Sequence, residues 1–220
     1  MDYPVAEHRK IIELLNFYNI DLVLDVGANE GQYAGYLRSI GYNNQIVSFE
    51  PLTSAFTLLN AQCANDKKRS CIKIALGDKD EVATINISGN SQSSSFLKMN
   101  EAHLDAAPES KYLNSEEVIV KKLDSIYKDV TGDAKNIFLK LDVQGFEKKV
   151  LKGAEKSLIE IKGLQVEMSF EELYDGEMLF SDMISYLKYR GFYLCALKNG
   201  FHDAHSKKLL QADGLFFKLH

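Results

Sequence analysis

Carboxylates recur at the ends of five apolar runs in this 220-residue chain. The runs close in Asp25-Val-Gly-Ala-Asn-Glu-Gly31, Glu50-Pro51, Leu76-Gly77-Asp78, Asp142-Val-Gln-Gly145 and Glu167-Met-Ser169. Four of them carry an acid in the closing turn, and the third has Asp78 just beyond it. Acids gathered in this way discriminate between nucleotide ligands. A pyrophosphate wants backbone N–H groups, a helix N-terminus and the glycine triple G-x-G-x-x-G. Residues 27–31 read Gly-Ala-Asn-Glu-Gly and lack that triple, and a ring of carboxylates would repel phosphate.

A nucleoside with positive charge and no phosphate suits the set better. S-adenosylmethionine carries a sulfonium, an ammonium and a ribose diol, each of which favours acidic neighbours. Glu50 stands on the run after Asp25, where a carboxylate can accept both ribose hydroxyls, as the acid does in dinucleotide folds. Gly27 and Gly31 let the backbone turn tightly beneath the methionine moiety. The expected cofactor contacts are Asp25, Gly27, Asn29, Gly31, Glu50, Pro51, Leu76, Gly77 and Asp142.

The elements that must position these residues follow from periodicity and punctuation. Pro4 to about Tyr18 reads as a helix with Ile11, Leu14, Leu15 and Tyr18 on one face. Leu22–Val26 fits a buried parallel strand. A helix from Gly31 ends at Gly41 as a left-handed cap. A strand spans Ile46–Phe49, and Thr53 or Ser54 caps a helix through about Asn65. The third strand is Ile72–Leu76. This β-α-β-α-β order with short links indicates a doubly wound parallel sheet with helices on both faces.

After Asp78 the regularity breaks. Val82–Ile87 alternates like a half-exposed strand. Residues 88–116 are polar and serine-rich, too long for a plain connector, and read equally as a lid or substrate loop and as a mobile surface loop. Val118–Leu123 is another strand and Ser125–Val130 a short helix. The sheet resumes at Ile137–Leu141. A helix then runs from Phe146 to about Lys162, with Glu147, Glu155 and Lys148, Lys149, Lys152 and Lys156 pairing on its solvent face and Gly163 as terminator. Leu164–Met168 is a strand, Leu179–Arg190 a helix, and Phe192–Leu197 and Gly214–Leu219 are strands. Too few residues separate the last two for a crossover helix, so they are antiparallel neighbours.

Composition narrows the class. Apolar residues make up 45% and charged residues 26%, with a net charge of −5, ordinary for a globular protein. The length suits one domain over residues 1–220. Lys and Arg are dispersed, so a nucleic-acid partner is not expected. Cys63, Cys71 and Cys195 lack C-x-x-C spacing and read as small core residues in a reducing compartment. No apolar run reaches a membrane span and the first ten residues lack a signal core, so the expected location is the cytoplasm.

The blocks Asp25–Gly31, Phe49-Glu50-Pro51, Ala75-Leu76-Gly77-Asp78, Leu139-Lys140-Leu141-Asp142-Val143-Gln144-Gly145-Phe146-Glu147 and Val150-Leu151-Lys152-Gly153-Ala154 together resemble the FkbM family of methyltransferases. The match runs in order from about residue 20 to the C-terminus. That family's usual D-V-E-G reads Asp-Val-Gln-Gly here, with Gln144 at the third position, so no carboxylate role is expected there. The resemblance implies a Rossmann-like class I methyltransferase fold, α/β, with a seven-stranded mostly parallel sheet and one antiparallel strand. It also implies transfer of methyl to a hydroxyl of a sugar, glycan or natural product.

An alcohol must lose a proton on methylation, which calls for a general base or a metal. Asp142 is the first candidate, because the end of the fourth strand lies next to the transferring methyl in this fold class. Glu167 on the neighbouring strand is the second. The third is His202 or His205 in the loop Asn199–His205, which leaves its strand on the cofactor edge. Asp142, Glu167, His202 and Asp203 could collect a divalent cation, but their spacing does not demand one and a metal is not favoured. The competing readings are a non-catalytic cofactor-binding subunit, a nitrogen methyltransferase and a nicotinamide dehydrogenase. Oligomeric state is open, a homodimer included.

Overall fold

The computed structural model describes residues 4–219, with side chains from Lys10 onward. Eight helices and ten strands are assigned among these residues: α1 (Pro4–Phe17), β1 (Leu22–Val26), α2 (Gln32–Ser39), β2 (Gln45–Phe49), α3 (Thr53–Cys63), β3 (Arg69–Ile72), β4 (Ala75–Leu76), β5 (Glu81–Ser88), α4 (Glu101–Ala106), β6 (Tyr112–Lys121), α5 (Leu123–Thr131), β7 (Ile137–Leu141), α6 (Glu147–Lys152), α7 (Ser157–Glu160), β8 (Ile161–Ser169), α8 (Phe180–Tyr189), β9 (Phe192–Asn199) and β10 (Gln211–Lys218). A seven-stranded sheet runs in the order β3-β2-β1-β7-β8-β10-β9. Only β10 is reversed, antiparallel to both β8 and β9. The expected seven-stranded, mostly parallel sheet with one antiparallel strand is present, and that strand, β10, lies between β8 and the edge strand β9.

Period-two alternation explains why the central strands are apolar throughout. Leu22, Leu24, Val26, Leu139, Leu141 and Val166 face one core with α5, α6 and α8. Val23, Ile46, Phe138, Leu215 and Phe217 face the other, covered by Ile11, Leu14, Leu15 and Tyr18 of α1 and by Ala34 and Leu37 of α2. From β1 the chain leaves to β2 on one side and returns as β7 on the other. That reversal is the topological switch point where open α/β sheets bind ligands.

Four expectations need correction. The third strand is two pieces: β3 pairs with β2, whereas β4 leaves the main sheet for a separate three-stranded sheet ordered β4-β6-β5. Thr53 is the first residue of α3, which has no side-chain cap; its hydroxyl bonds Glu116 instead. The helix after Phe146 stops at Lys152, and the next residue, Gly153, packs so tightly on Gly77 that a Cβ would strike the Gly77 carbonyl. The chain restarts as α7, with Asp124 accepting the N–H groups of Lys156 and Ser157. Gly163 lies inside β8, where a side chain would collide with the Phe217 and Phe138 rings.

The polar segment is built rather than loose. Asn90 donates to Ser93 and Ser110, and the hydroxyls of Ser93 and Ser110 lie 3.1 Å apart. His103 meets Ser110 at 3.2 Å. β6 begins at Tyr112, six residues ahead of the strand read from sequence. Ser95 Oγ donates to the Gln144 carbonyl at 2.7 Å, which ties the segment to the end of β7.

Candidate active site

The turn after β1 is shaped by Gly27 (φ 74°), Asn29 (φ 48°) and Gly31 (φ 95°). The left-handed region suits glycine and is tolerated by asparagine. This turn is joined to β2 by hydrogen bonds. The N–H groups of Gly27 and Ala28 donate to the Phe49 carbonyl. The N–H groups of Asn29 and Leu52 donate to the two oxygens of Glu50, each at 2.9 Å. Glu50 is only 5% exposed. Burial pushes its carboxyl up to about 7, against the opposing pull of those N–H groups and Lys140. Asn29 Oδ1 is buried without a partner, an acceptor with nothing yet to accept from.

A cavity of about 720 Å³ opens over the strand ends. Its lining comes from β2 (Glu50 just beyond it), β1, β7, β8, β10 and β9. Six neighbouring strands at about 4.8 Å spacing make a span of roughly 24 Å. On the β2 side lie Gly27, Asn29, Glu50, Pro51, Leu76 and Phe146, with Ile85 and Phe96 from the second sheet and its following segment. On the β10 side lie Gln165, Glu167, Asp213, Lys198, Tyr33 and Tyr36.

Between the halves is a charged cluster. Lys140 is 5% exposed and lies 3.3 Å from Asp25 Oδ1 and 3.4 Å from Asp142 Oδ2. Burial alone would lower its pKa; Asp142 and Asp25 outweigh burial and hold it above the usual lysine value. The Gln144 amide donates to Asp142 Oδ1 and to Glu167 Oε2, each at 2.8 Å. Tyr174 OH donates to the Gln144 side-chain oxygen at 2.7 Å. Gln211 gives Glu167 a second bond at 2.9 Å. Burial, then Asp142, Asp213 and Glu147, push the Glu167 carboxyl well above the ordinary range.

The residues predicted from sequence divide in three. Gly27, Asn29, Glu50, Pro51, Leu76, Asp142 and Glu167 meet around the cavity. Asp25, Gly31 and Gly77 stand behind its wall. Asp25 is fully buried against Lys140, with Ser48 Oγ at 3.4 Å; Gly31 packs on Leu59 and Arg69; Gly77 packs on Val120 and Phe146. His202 is not among the lining residues. It is exposed in the β9–β10 loop, where it forms a backbone bridge with Leu209. Phe201 turns inward in its place, against His103. Asp203 is used locally, accepting the N–H groups of His205 and Ser206. Among the described residues no three or more His, Cys, Asp or Glu side chains are grouped to hold a metal ion.

Other residues in or behind the cavity wall escaped sequence reading. Lys140 was a visible signal, a lone charge inside the apolar run Ile137–Leu141. Asp213 lies one residue before the strand start chosen at Gly214. Glu147, assigned to a solvent face, is buried and accepts the Val143 N–H at 2.9 Å; burial raises its carboxyl to about 8. Gln165 and Tyr33, hydrogen bonded at 2.8 Å, carry no pattern that a single sequence reveals.

The donor set fits S-adenosylmethionine: buried carboxylate at the β2 end, an unpartnered acceptor on Asn29, and acids around the switch point. Comparison with known proteins agrees. The Methyltransferase FkbM domain model matches residues 25–194. A curated relative, the 2-O-methyltransferase NoeI of Sinorhizobium fredii (strain NBRC 101917 / NGR234), is 23% identical over 177 residues, covering 78% of this chain and 72% of its own. Among solved structures, a Listeria monocytogenes protein assigned as an S-adenosylmethionine-dependent methyltransferase superposes with a TM-score of 0.53 at 9% identity, covering 99% of this chain and 100% of that one. TehB from Haemophilus influenzae superposes with a TM-score of 0.51 at 11% identity, covering 96% of this chain and 62% of its own. These last two are likenesses of fold. Among the described residues no helix is long and apolar enough to cross a membrane. With the family model spanning most of the sheet and every cavity-lining strand end but those of β9 and β10, this chain belongs to the FkbM methyltransferase family and is an S-adenosylmethionine-dependent methyltransferase.

Proposed function

We propose that the protein methylates a hydroxyl of a sugar or glycan, with Asp142 as the general base. The observation that carries this reading is the second half of the cavity, beyond Asp142. It offers planar hydrogen-bonding groups, Gln165 and Asp213, next to the aromatic rings of Tyr33 and Tyr36 and the apolar Leu197 and Leu215. A sugar ring has the same two characters, a hydroxylated edge and an apolar face. The relative NoeI is a 2-O-methyltransferase by name, which supports an oxygen acceptor.

In this reading Glu50 accepts the ribose hydroxyls, Asn29 Oδ1 accepts a donor from the cofactor, and Pro51, Leu76 and Phe146 enclose the adenine. The bound cofactor supplies an electrophilic methyl on its sulfonium. The chain's task is then to place an oxygen and take its proton. Asp142 lines the cavity with its side chain 38% exposed, so it can reach an acceptor from the strand end. Glu167 already accepts from the Gln144 and Gln211 amides, and in this reading it orders the cluster around Asp142 rather than taking the proton.

The test is transfer of isotopically labelled methyl from S-adenosylmethionine into a saccharide panel, with products mapped by mass spectrometry. O-methyl sugars from the wild type, and at least about 100-fold less from Asp142→Asn at unchanged cofactor affinity, are the expected result, the size of a general-base contribution. Label found only on nitrogen, or full turnover in Asp142→Asn, refutes the reading.

A further inference from the structure

Lys140 is a buried cation in the centre of a strand that could have been wholly apolar, and nothing so far gives it a task. Its ammonium has three hydrogens. Three oxygens lie near it: Gly27 O, which accepts a hydrogen bond at 3.3 Å, and the ion-pair partners Asp25 Oδ1 at 3.3 Å and Asp142 Oδ2 at 3.4 Å. The Tyr33 ring covers it at 5.3 Å. Its hydrogen bond goes to the Gly27 carbonyl, and its charge lies against the two carboxylates. The ammonium thereby holds together what it touches: the strand β1, the glycine turn that follows it, and the Asp142 carboxylate.

We propose that Lys140 is a positioning residue for methyl transfer, a charged strut that fixes the Asp142 carboxylate relative to the Gly27 turn of the cofactor site. Gln144 completes the clamp from the other side, since Lys140 holds Oδ2 and Gln144 holds Oδ1. The strut rests on the reading of Asp142 as the base. The groups facing Asp142 make the charge of the strut matter. From β1 comes Asp25, from α6 Glu147, from β8 Glu167 and from β10 Asp213, all acidic. Lys198 reaches only Asp213, at 3.9 Å. Without Lys140, Asp142 would stand among four acids with no cation in contact.

Lys140→Met alone would strand the fully buried Asp25 and risks unfolding the protein. The informative comparison is therefore Asp25→Asn/Lys140→Met against Asp25→Asn, both uncharged at position 25. The readouts are kcat in the label-transfer assay and, by calorimetry, affinity for S-adenosylhomocysteine. Loss of the strut should lower kcat at least about tenfold in the double variant relative to Asp25→Asn, the scale of a misplaced catalytic group. S-adenosylhomocysteine affinity should change less than about threefold, and Lys140→Arg should keep most of the turnover. Equal kcat in the two variants, or a loss that falls on cofactor affinity instead, overturns the proposal. A failure of the base reading looks different: Asp142→Asn would keep full turnover whatever the Lys140 variants show.

Discussion

Glu50→Gln should stabilise the empty protein at pH 8 while crippling its cofactor site. The Glu50 carboxyl is raised from 4.5 to about 7 chiefly by burial, which at 1.36 kcal/mol per pH unit is about 3 kcal/mol. The sign follows from proton counting. Between about pH 4.5 and 7 the native state binds more protons than the unfolded state, so stability falls as pH rises. The cost is absent below that window and complete above it. Glutamine is neutral at every pH and keeps one acceptor oxygen for the N–H groups of Asn29 and Leu52. Its NH₂ then faces the other N–H, at a cost of about 1–2 kcal/mol. The net change is a gain of about 1–2 kcal/mol at pH 8 and a loss of similar size at pH 5. For a domain of this size those figures correspond to roughly 2–8 °C in Tm, with opposite signs at the two pH values. Affinity for S-adenosylhomocysteine should fall about 10–150-fold, the worth of one hydrogen bond to a charged acceptor. Thermal scans at pH 5 and 8 and calorimetry at pH 8 decide it. A variant less stable than wild type at pH 8, or one that binds with unchanged affinity, refutes the account of Glu50.

Three further outcomes are expected. Glu167→Gln keeps an acceptor for Gln144 and Gln211 and removes a carboxyl that burial pushes up, so it should keep methyl transfer within about threefold while raising Tm at pH 8; a loss above 100-fold in the label-transfer assay would make Glu167 the base. Gly27→Ala combines a left-handed backbone with a collision against the Asp142 carbonyl, so it should cost about 2–5 kcal/mol and lower Tm by roughly 5–15 °C. His202→Ala, outside the cavity lining, should leave turnover within twofold, and a tenfold drop would return the β9–β10 loop to the site.

Much of the molecule was legible from sequence for identifiable reasons. Central parallel strands are buried on both faces, so Leu22–Val26 and Ile137–Leu141 stand out as apolar runs closed by acids and glycines. The glycine turn and Glu50 were legible because strand ends at a switch point supply ligands whatever the helices do. Errors arose where one residue serves two geometries. Gly163 ends a helix in a sequence reading but makes room for Phe217 in the folded chain. Glu147 lies on the outer stripe of a long helix, yet the helix is six residues and its first turn faces the cluster. The Ser88–Ser110 segment gains its order from hydroxyl pairs distant in sequence, such as Ser93 with Ser110, which no local periodicity encodes. Lys140 is level with Gln165 across β7 and β8, and Asp213 with Glu167 across β8 and β10, pairings that depend on strand register and that only the folded sheet makes.

The central claim is that one cavity seats a methyl donor against Glu50 and presents its reacting end to Asp142. A crystal structure with S-adenosylhomocysteine tests this most directly. The account predicts both ribose hydroxyls within hydrogen-bond distance of the Glu50 carboxylate, and the sulfur on the Asp142 side of the cavity, facing Gln165 and Asp213. A nucleoside bound elsewhere, or a sulfur turned away from Asp142 toward the second sheet, would contradict it.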